Sequence, residues 1–195
     1  MKRAIALVAV PALAFALAAC GDSGDSDGKG GSKPSATPSM SMSAAQASHN
    51  EQDVMFAQMM IPHHRQAVEM AGLAPSRASS AQVKALAAGI EKAQAPEIEK
   101  MTGWLKAWGA PAAMTGMHHD MPGIMSDKDM TSLKALKGAA FDKAFLRMMI
   151  EHHRGAVTMA RAEDRSGQNA DAKALAASIV RTQSAEIAKM RDLLK

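Results

Sequence analysis

Met59-Met60-Ile61-Pro62-His63-His64-Arg65-Gln66-Ala67-Val68-Glu69-Met70-Ala71 returns 89 residues later as Met148-Met149-Ile150-Glu151-His152-His153-Arg154-Gly155-Ala156-Val157-Thr158-Met159-Ala160. At that constant offset, without gaps, residues 53–105 match residues 142–194 at 25 of 53 positions. A second block pairs Lys84-Ala85-Leu86-Ala87-Ala88 with Lys173-Ala174-Leu175-Ala176-Ala177, and Gln94, Glu97, Ile98, Lys100 and Met101 return as Gln183, Glu186, Ile187, Lys189 and Met190. A match of this length is an internal duplication, so the architecture is one unit used twice.

Each unit holds two helical patterns. Phe56, Met59, Met60, His63, Ala67, Met70 and Ala71 recur at three- and four-residue steps, as do Val83, Leu86, Ile90, Ile98, Met101 and Leu105. Gly72-Leu73-Ala74-Pro75-Ser76 breaks the first unit and Arg165-Ser166-Gly167-Gln168-Asn169 the second. Two such hairpins predict an all-α four-helix bundle over residues 50–195. Residues 109–125 connect the units, and Ser126-Asp127-Lys128-Asp129 has the pattern of a capping box opening a short extra helix that ends near Gly138. Pro62 and Pro96 fall inside helical patterns and should kink the first hairpin, since each removes a backbone hydrogen bond.

Composition agrees with this architecture and excludes others. Hydrophobic residues make up 47% of the 195 residues, but aromatic residues only 3%, which disfavours β-sandwiches and barrels. A single Cys excludes a disulfide scaffold and Cys-based zinc or iron–sulfur sites. The net charge of +4 is too small, and the basic residues too scattered, for a nucleic-acid partner. Methionine is the outlier, with 17 beside seven histidines.

The N-terminus has the form of an export signal over residues 1–19. Lys2 and Arg3 precede an apolar run from Ile5 to Leu17 that is too short for a comfortable membrane span. Leu17-Ala18-Ala19-Cys20 resembles a bacterial lipobox, which predicts cleavage before Cys20 and lipidation of its thiol. The mature chain would lose Lys2 and Arg3, and its side-chain charge would fall to +2. Residues 20–49 are rich in Gly, Ser, Asp and Pro and read as a flexible tether. The expected location is extracytoplasmic, anchored to the bacterial membrane through Cys20.

On the first helix of each unit, Met59 lies one turn before His63 and Met60 one turn before His64, with Met70 two turns beyond His63. Met148, His152, Met149, His153 and Met159 repeat the pattern. Adjacent helical positions point about 100° apart, so at most one histidine of each pair should point straight inward, and His63 and His152 share the apolar face of Phe56 and Phe145. Glu97 and Glu186 are the repeated carboxylates of the second helices. Pseudo-twofold symmetry could bring them to His63 and His152 near the axis, either as a metal site or as structural pairs that satisfy buried charges. Helical methionine also serves as ordinary core filling.

The connection is different. Met114-Thr115-Gly116-Met117-His118-His119-Asp120-Met121-Pro122-Gly123-Ile124-Met125 holds four Met and two His within twelve residues. A solvent-facing loop gains nothing from thioethers as packing; the alternative is a loop folded onto the bundle with its methionines buried. Thioether sulfur with imidazole nitrogen selects Cu(I), or its soft analogue Ag(I), over Mg, Ca or Mn. Methionine also largely avoids the oxidation to which exposed thiols are prone outside the cell.

At the paired Met-Met-Ile-x-His-His-Arg-x-Ala-Val-x-Met-Ala blocks the chain resembles the domain-of-unknown-function 305 family, over about residues 50–195. The resemblance implies a ferritin-like helical bundle and, through the CopM-type members, exported copper-binding proteins linked to copper tolerance. It implies His63, His64, His152, His153, Met59, Met60, Met148 and Met149 as candidate ligands. A di-iron carboxylate site needs two Glu-x-x-His motifs, and the chain has none.

The leading expectation is therefore a lipoprotein that binds Cu(I) and sequesters it or passes it to a copper-transfer protein, without turnover. Two other readings stay open: a metalloenzyme holding a redox metal through His63, His152, Glu97 and Glu186, and a structural or adaptor lipoprotein without metal. The sequence carries no nucleophile–base arrangement, phosphate loop or nucleotide fingerprint.

Overall fold

Helix α1 (Glu51–Gly72) opens on a reciprocal cap, in which the Asn50 side chain accepts from the Asp53 amide and the Asp53 carboxylate accepts from the Asn50 amide. In the computed structural model the described residues are 48–112 and 121–195, and among them every regular element is helical. The signal peptide, Cys20, most of the tether, and Met114, Met117, His118 and His119 of the connection lie outside the described residues.

The expected break after α1 contains a single helical turn, α2 (Ala74–Arg77). Helix α3 (Ala81–Ala107) follows, capped by the Ser80 side chain. Helix α4 (Asp127–Ala135) begins at the Ser126 capping box that its sequence predicts. It ends at Ala135 and not at Gly138, which instead opens α5 (Gly138–Ser166) with φ +63°, a conformation glycine adopts without a Cβ penalty. Helix α6 (Ala170–Leu193) is capped by Asn169. Helices α1 and α3 continue through Pro62 and Pro96 as single elements.

Helix α1 packs on α3, α5 on α6, and the two hairpins meet mainly through α1 and α5. Two apolar clusters form the core, and all four long helices contribute to both. One joins Ala67, Met70 and Ala71 of α1 to Leu86 and Ile90 of α3, Phe141, Phe145 and Met149 of α5, and Met190 of α6. The other joins Phe56, Met60 and Ile61 to Met101 and Leu105, Met159 and Ala160, and Ala176 and Ile179. The C-terminal part of α1 thus shares a cluster with the N-terminal parts of α3 and α5, so α1 runs antiparallel to both. Between the clusters each helix places polar residues: His63 and His64, Gln94 and Glu97, His152 and His153, Gln183 and Glu186.

A repeated carboxylate locks the hairpins together. Asp53 at the start of α1 accepts from the amides of Gln168 and Asn169 in the turn before α6. Its equivalent Asp142 at the start of α5 accepts from the amides of Ser79 and Ser80 before α3, and from the Ser79 hydroxyl. These positions are related by the same 89-residue offset, so the duplication preserves a reciprocal cross-link in which each unit caps the other unit's second helix.

Glu163 breaks the symmetry. Its repeat equivalent is Ala74, yet Glu163 is fully buried, and neither of its carboxylate oxygens has a partner of hydrogen-bonding geometry. Burial, followed by the neighbouring Asp53, raises the Glu163 pKa to about 8. Burial opposes ionisation of Asp53 too, but the neighbouring Glu163 and hydrogen bonds from the Asn50, Asn169 and Gln168 amides hold its pKa below the ordinary value. Glu163 is therefore the protonated member of the pair at neutral pH.

Two outcomes follow from these links. Asp142→Ala leaves the Ser79 and Ser80 amides without this acceptor and should cost about 1–2 kcal/mol in urea unfolding. Glu163 keeps its proton up to about pH 8 in the folded protein, whereas the unfolded chain releases it near a reference pKa of about 4.3. Its contribution to stability therefore falls as pH rises through that window. Melting temperatures taken across the window should decline less steeply with pH for Glu163→Gln than for the parent protein.

Candidate metal centre

Helices α1 and α5 are the central pair of the fold, and the duplicated His-His block sits at the midpoint of each. All four histidines are fully buried. Sequence spacing predicts one inward ring per pair, but the packing of α3 behind α1, and of α6 behind α5, covers the second ring as well. The His63 and His152 rings meet with centroids 3.7 Å apart and a tilt of 38°.

The carboxylates go elsewhere. Glu97 does not reach His63; its Oε2 accepts from His64 Nε2 at 2.7 Å. Glu186 accepts from His153 Nε2 at the same distance. The expected grouping of His63, His152, Glu97 and Glu186 is therefore corrected to one central histidine pair flanked by two His–Glu pairs. The reason is angular: His64 and His153 lie about 100° around their helices, on the sides facing α3 and α6. Glu97 and Glu186 keep 20% and 24% of their side chains exposed, so each links a buried ring to the surface.

These contacts fix tautomers. His63 Nε2 lies 3.1 Å from the Pro122 carbonyl oxygen, which can only accept. A neutral His63 therefore carries its proton on Nε2 and its lone pair on Nδ1, and the carboxylates impose the same arrangement on neutral His64 and His153. The Nδ1 atoms of all four histidines are buried without a hydrogen-bond partner. At His152 neither ring nitrogen has a partner of hydrogen-bonding geometry. Gln94 and Gln183, equivalent residues that are almost fully buried, add two unpartnered Oε1 atoms to the same belt. Burial and then the adjacent His64 push the His63 pKa down to about 3. Burial and then His63 push that of His152 well below the ordinary range. Both rings are neutral, the form that binds metal.

The end of the connection lies on this pair. Besides the Pro122 contact, Gln66 holds the Met125 backbone twice, its Nε2 donating to the carbonyl at 2.8 Å and its Oε1 accepting from the amide at 2.7 Å. Gly123, with φ +76°, lies against α5, where an added Cβ would meet the Glu151 carbonyl oxygen at 2.5 Å. Met121 is buried and Met125 half-buried against the apolar cluster. The expectation that packing cannot explain the loop methionines is corrected for these two, because Met121 is buried and Met125 half-buried, although Pro122 between them is exposed. Met60, Met70, Met149 and Met159 are buried in the apolar clusters, and Met59 and Met148 pack half-buried at their edges.

The donors suit a soft ion better than a hard one. Among the described residues, no three His, Cys, Asp or Glu side chains converge on a common point. The unpartnered buried atoms include imidazole nitrogens, and methionines lie one turn before each histidine. Sequence reading missed Asp53, Asp142 and Glu163, as well as Gln66 and Gly155. The first two were visible as a repeated carboxylate pair, whereas Glu163 has no repeat signal.

A duplicated helical fold with a buried His–His centre defines the class of this protein. The chain belongs to the family described as a domain of unknown function (DUF305), whose profile matches residues 53–194. A secreted-type DUF305 protein of Streptomyces coelicolor has a similar structure, with 36% sequence identity and a TM-score of 0.69, over 77% of this chain and 92% of that one. A DUF305 fragment from Deinococcus radiodurans is 33% identical with a TM-score of 0.67, over 74% and 96%. CopM in its Cu(I)-bound form is 33% identical with a TM-score of 0.63, over 72% and 94%. CopM has also been solved in Cu(II)-bound and Ag-bound forms. No curated protein matches the chain.

The neutral pair makes the metal-free protein acid-sensitive. Unfolded histidines protonate near a reference pKa of about 6.5, while His63 stays neutral down to about 3 and His152 is shifted in the same direction. Stability contributed by these rings is present above about pH 6.5 and is lost as pH falls below it. The double variant His63→Leu/His152→Leu should lose up to about two protons' worth of this acid dependence. Chemical unfolding of both proteins between about pH 4 and 7 measures it.

Proposed function

We propose that this chain is an exported, lipid-anchored protein that binds Cu(I), or Ag(I) in its place, and sequesters it or hands it to a copper-transfer partner without turnover. The observation that carries the reading is the meeting of two donor sets. The Met- and His-rich connection ends on the buried His63–His152 pair, whose Nδ1 atoms have no hydrogen-bond partner. His63 and His152 would supply the central nitrogen donors, with His64 and His153 beside them. Met59, Met60, Met148 and Met149, one turn earlier, and Met121 and Met125 on the docked strand are the candidate thioethers. Met114, Met117, His118 and His119 extend the set by sequence alone.

Soft thioethers and neutral imidazoles match Cu(I) and Ag(I), and structurally similar CopM has been solved with each of them bound. The sequence pattern of an export signal and a lipobox at Cys20 supports a site outside the cytoplasm, where methionine is a more durable ligand than cysteine. Among the described residues no helix is long and apolar enough to cross a membrane, so attachment would rest on the lipid. Glu97 and Glu186 hold the outer nitrogens of His64 and His153, which fixes ring orientation as carboxylates do behind metal-ligating histidines.

Competition titration of Cu(I) against a chromogenic chelator tests this. The full chain should bind more tightly than free methionine. His63→Ala/His152→Ala should weaken binding by about tenfold or more, and the connection variant replacing Met114, Met117, His118, His119, Met121 and Met125 should weaken it further. Affinity no tighter than free methionine would end the copper reading.

A further inference from the structure

Position 66 of the first unit and its equivalent, position 155 of the second, stand between matched residues: Arg65 and Ala67 on one side of the comparison, Arg154 and Ala156 on the other. Here the repeat diverges completely, to Gln and Gly. The structure gives both residues a task on the same short segment. Gln66 grips the Met125 backbone through both of its amide atoms. At Gly155 a Cβ would lie 1.8 Å from the Pro122 carbonyl oxygen and 2.9 Å from Gly123 Cα. Gly123 answers it from the other side, since its own Cβ would lie 3.0 Å from Gly155 Cα. Backbone therefore crosses backbone with no side chain between. No methyl group can enter there unless residues 122–123 move away from α5.

The carbonyl that needs this clearance is the one that accepts from His63 Nε2. A duplicated fold has two equivalent faces but only one connection between its units, so the face that receives the connection must break the symmetry. Gln66 supplies the grip and Gly155 the clearance.

We propose that Gln66 and Gly155 are positioning residues: they seat residues 121–125 over the His63–His152 pair and thereby hold His63 as its Nε2–H tautomer, so that Nδ1 is the atom offered to metal. The consequence for copper rests on the function proposed above, but the tautomer does not. Gln66 acts through the Met125 backbone and Gly155 through Pro122.

The test uses the full chain, with nitrogen-15 labelled histidine followed by NMR in the metal-free state, and Cu(I) titrated separately. The parent protein should show a slowly exchanging Nε2–H on His63. Gly155→Ala and Gln66→Ala should each turn that signal into a faster-exchanging or mixed-tautomer one and weaken Cu(I) by about tenfold, with helical content retained. Gly103→Ala is the control, because its Cβ would meet nothing within 4 Å and alanine favours a helix. If both variants keep the parent's His63 signal, or change it while keeping the parent's Cu(I) affinity, the proposal is overturned. A parent protein that shows the Nε2–H signal but binds no Cu(I) would instead sink the copper reading, while the apo spectra of the variants still decide the seat.

Discussion

Two imidazole rings with centroids 3.7 Å apart in a fully buried site impose one condition on everything around them: neither can be charged. A protonated ring would be desolvated and pressed against its neighbour, with no carboxylate in contact to compensate, since Glu97 and Glu186 are bonded to His64 and His153. Neutrality in turn requires that one nitrogen of each ring present a lone pair. The Pro122 carbonyl settles which nitrogen for His63. The unpartnered nitrogens of His152 show that the protein leaves hydrogen-bonding capacity unused at its own centre, a cost that a folded chain normally avoids unless the site serves a purpose.

The remainder of the fold isolates that layer. Apolar clusters close it above and below, so the polar belt is a slice through the core and not a cleft in its surface. The cross-links from Asp53 and Asp142 tie each unit's first helix to the turn before the other unit's second helix. They act at the two ends of the fold, as far along the helices as possible from the histidines. Such bracing suits a centre whose polar atoms add little stability of their own. Glu163 lies beside Asp53 at only one of these ends, and that asymmetry belongs to one unit alone.

What the sequence made legible followed from its repetition. The two hairpins and the meeting of His63 with His152 derive from residues that recur at a fixed offset and at helical period, while the breaks and the Ser126 cap derive from local turn and capping signals. The pairing of Glu97 and Glu186 was misassigned by about one helical step, because periodicity tells which residues share a face but not how far the neighbouring helix reaches around it. The burial of His64 and His153 was missed for the same reason. Features without a repeat partner were illegible: Glu163 faces Asp53 across a junction no local pattern encodes, and Gln66 and Gly155 looked like ordinary divergence. Their meaning depends on where residues 121–125 dock, which is a tertiary fact. The same docking explains why Met121 and Met125 are not the exposed loop methionines that local composition suggested.

The choice between a hard and a soft ion can be argued from which donors are already committed. A hard cation needs carboxylate or carbonyl oxygens. The repeated carboxylates Asp53 and Asp142 are engaged by backbone amides at the ends of the fold, and Glu97 and Glu186 by histidines. Recruiting any of them would unpair a backbone amide or free a ring that is now oriented. The imidazole Nδ1 atoms are not spent in this way, and thioethers lose almost no hydrogen bonding when they turn toward a metal. A soft, weakly hydrated ion bound by neutral donors therefore demands the least rearrangement of this interior, and it adds the positive charge that the two neutral rings cannot themselves carry.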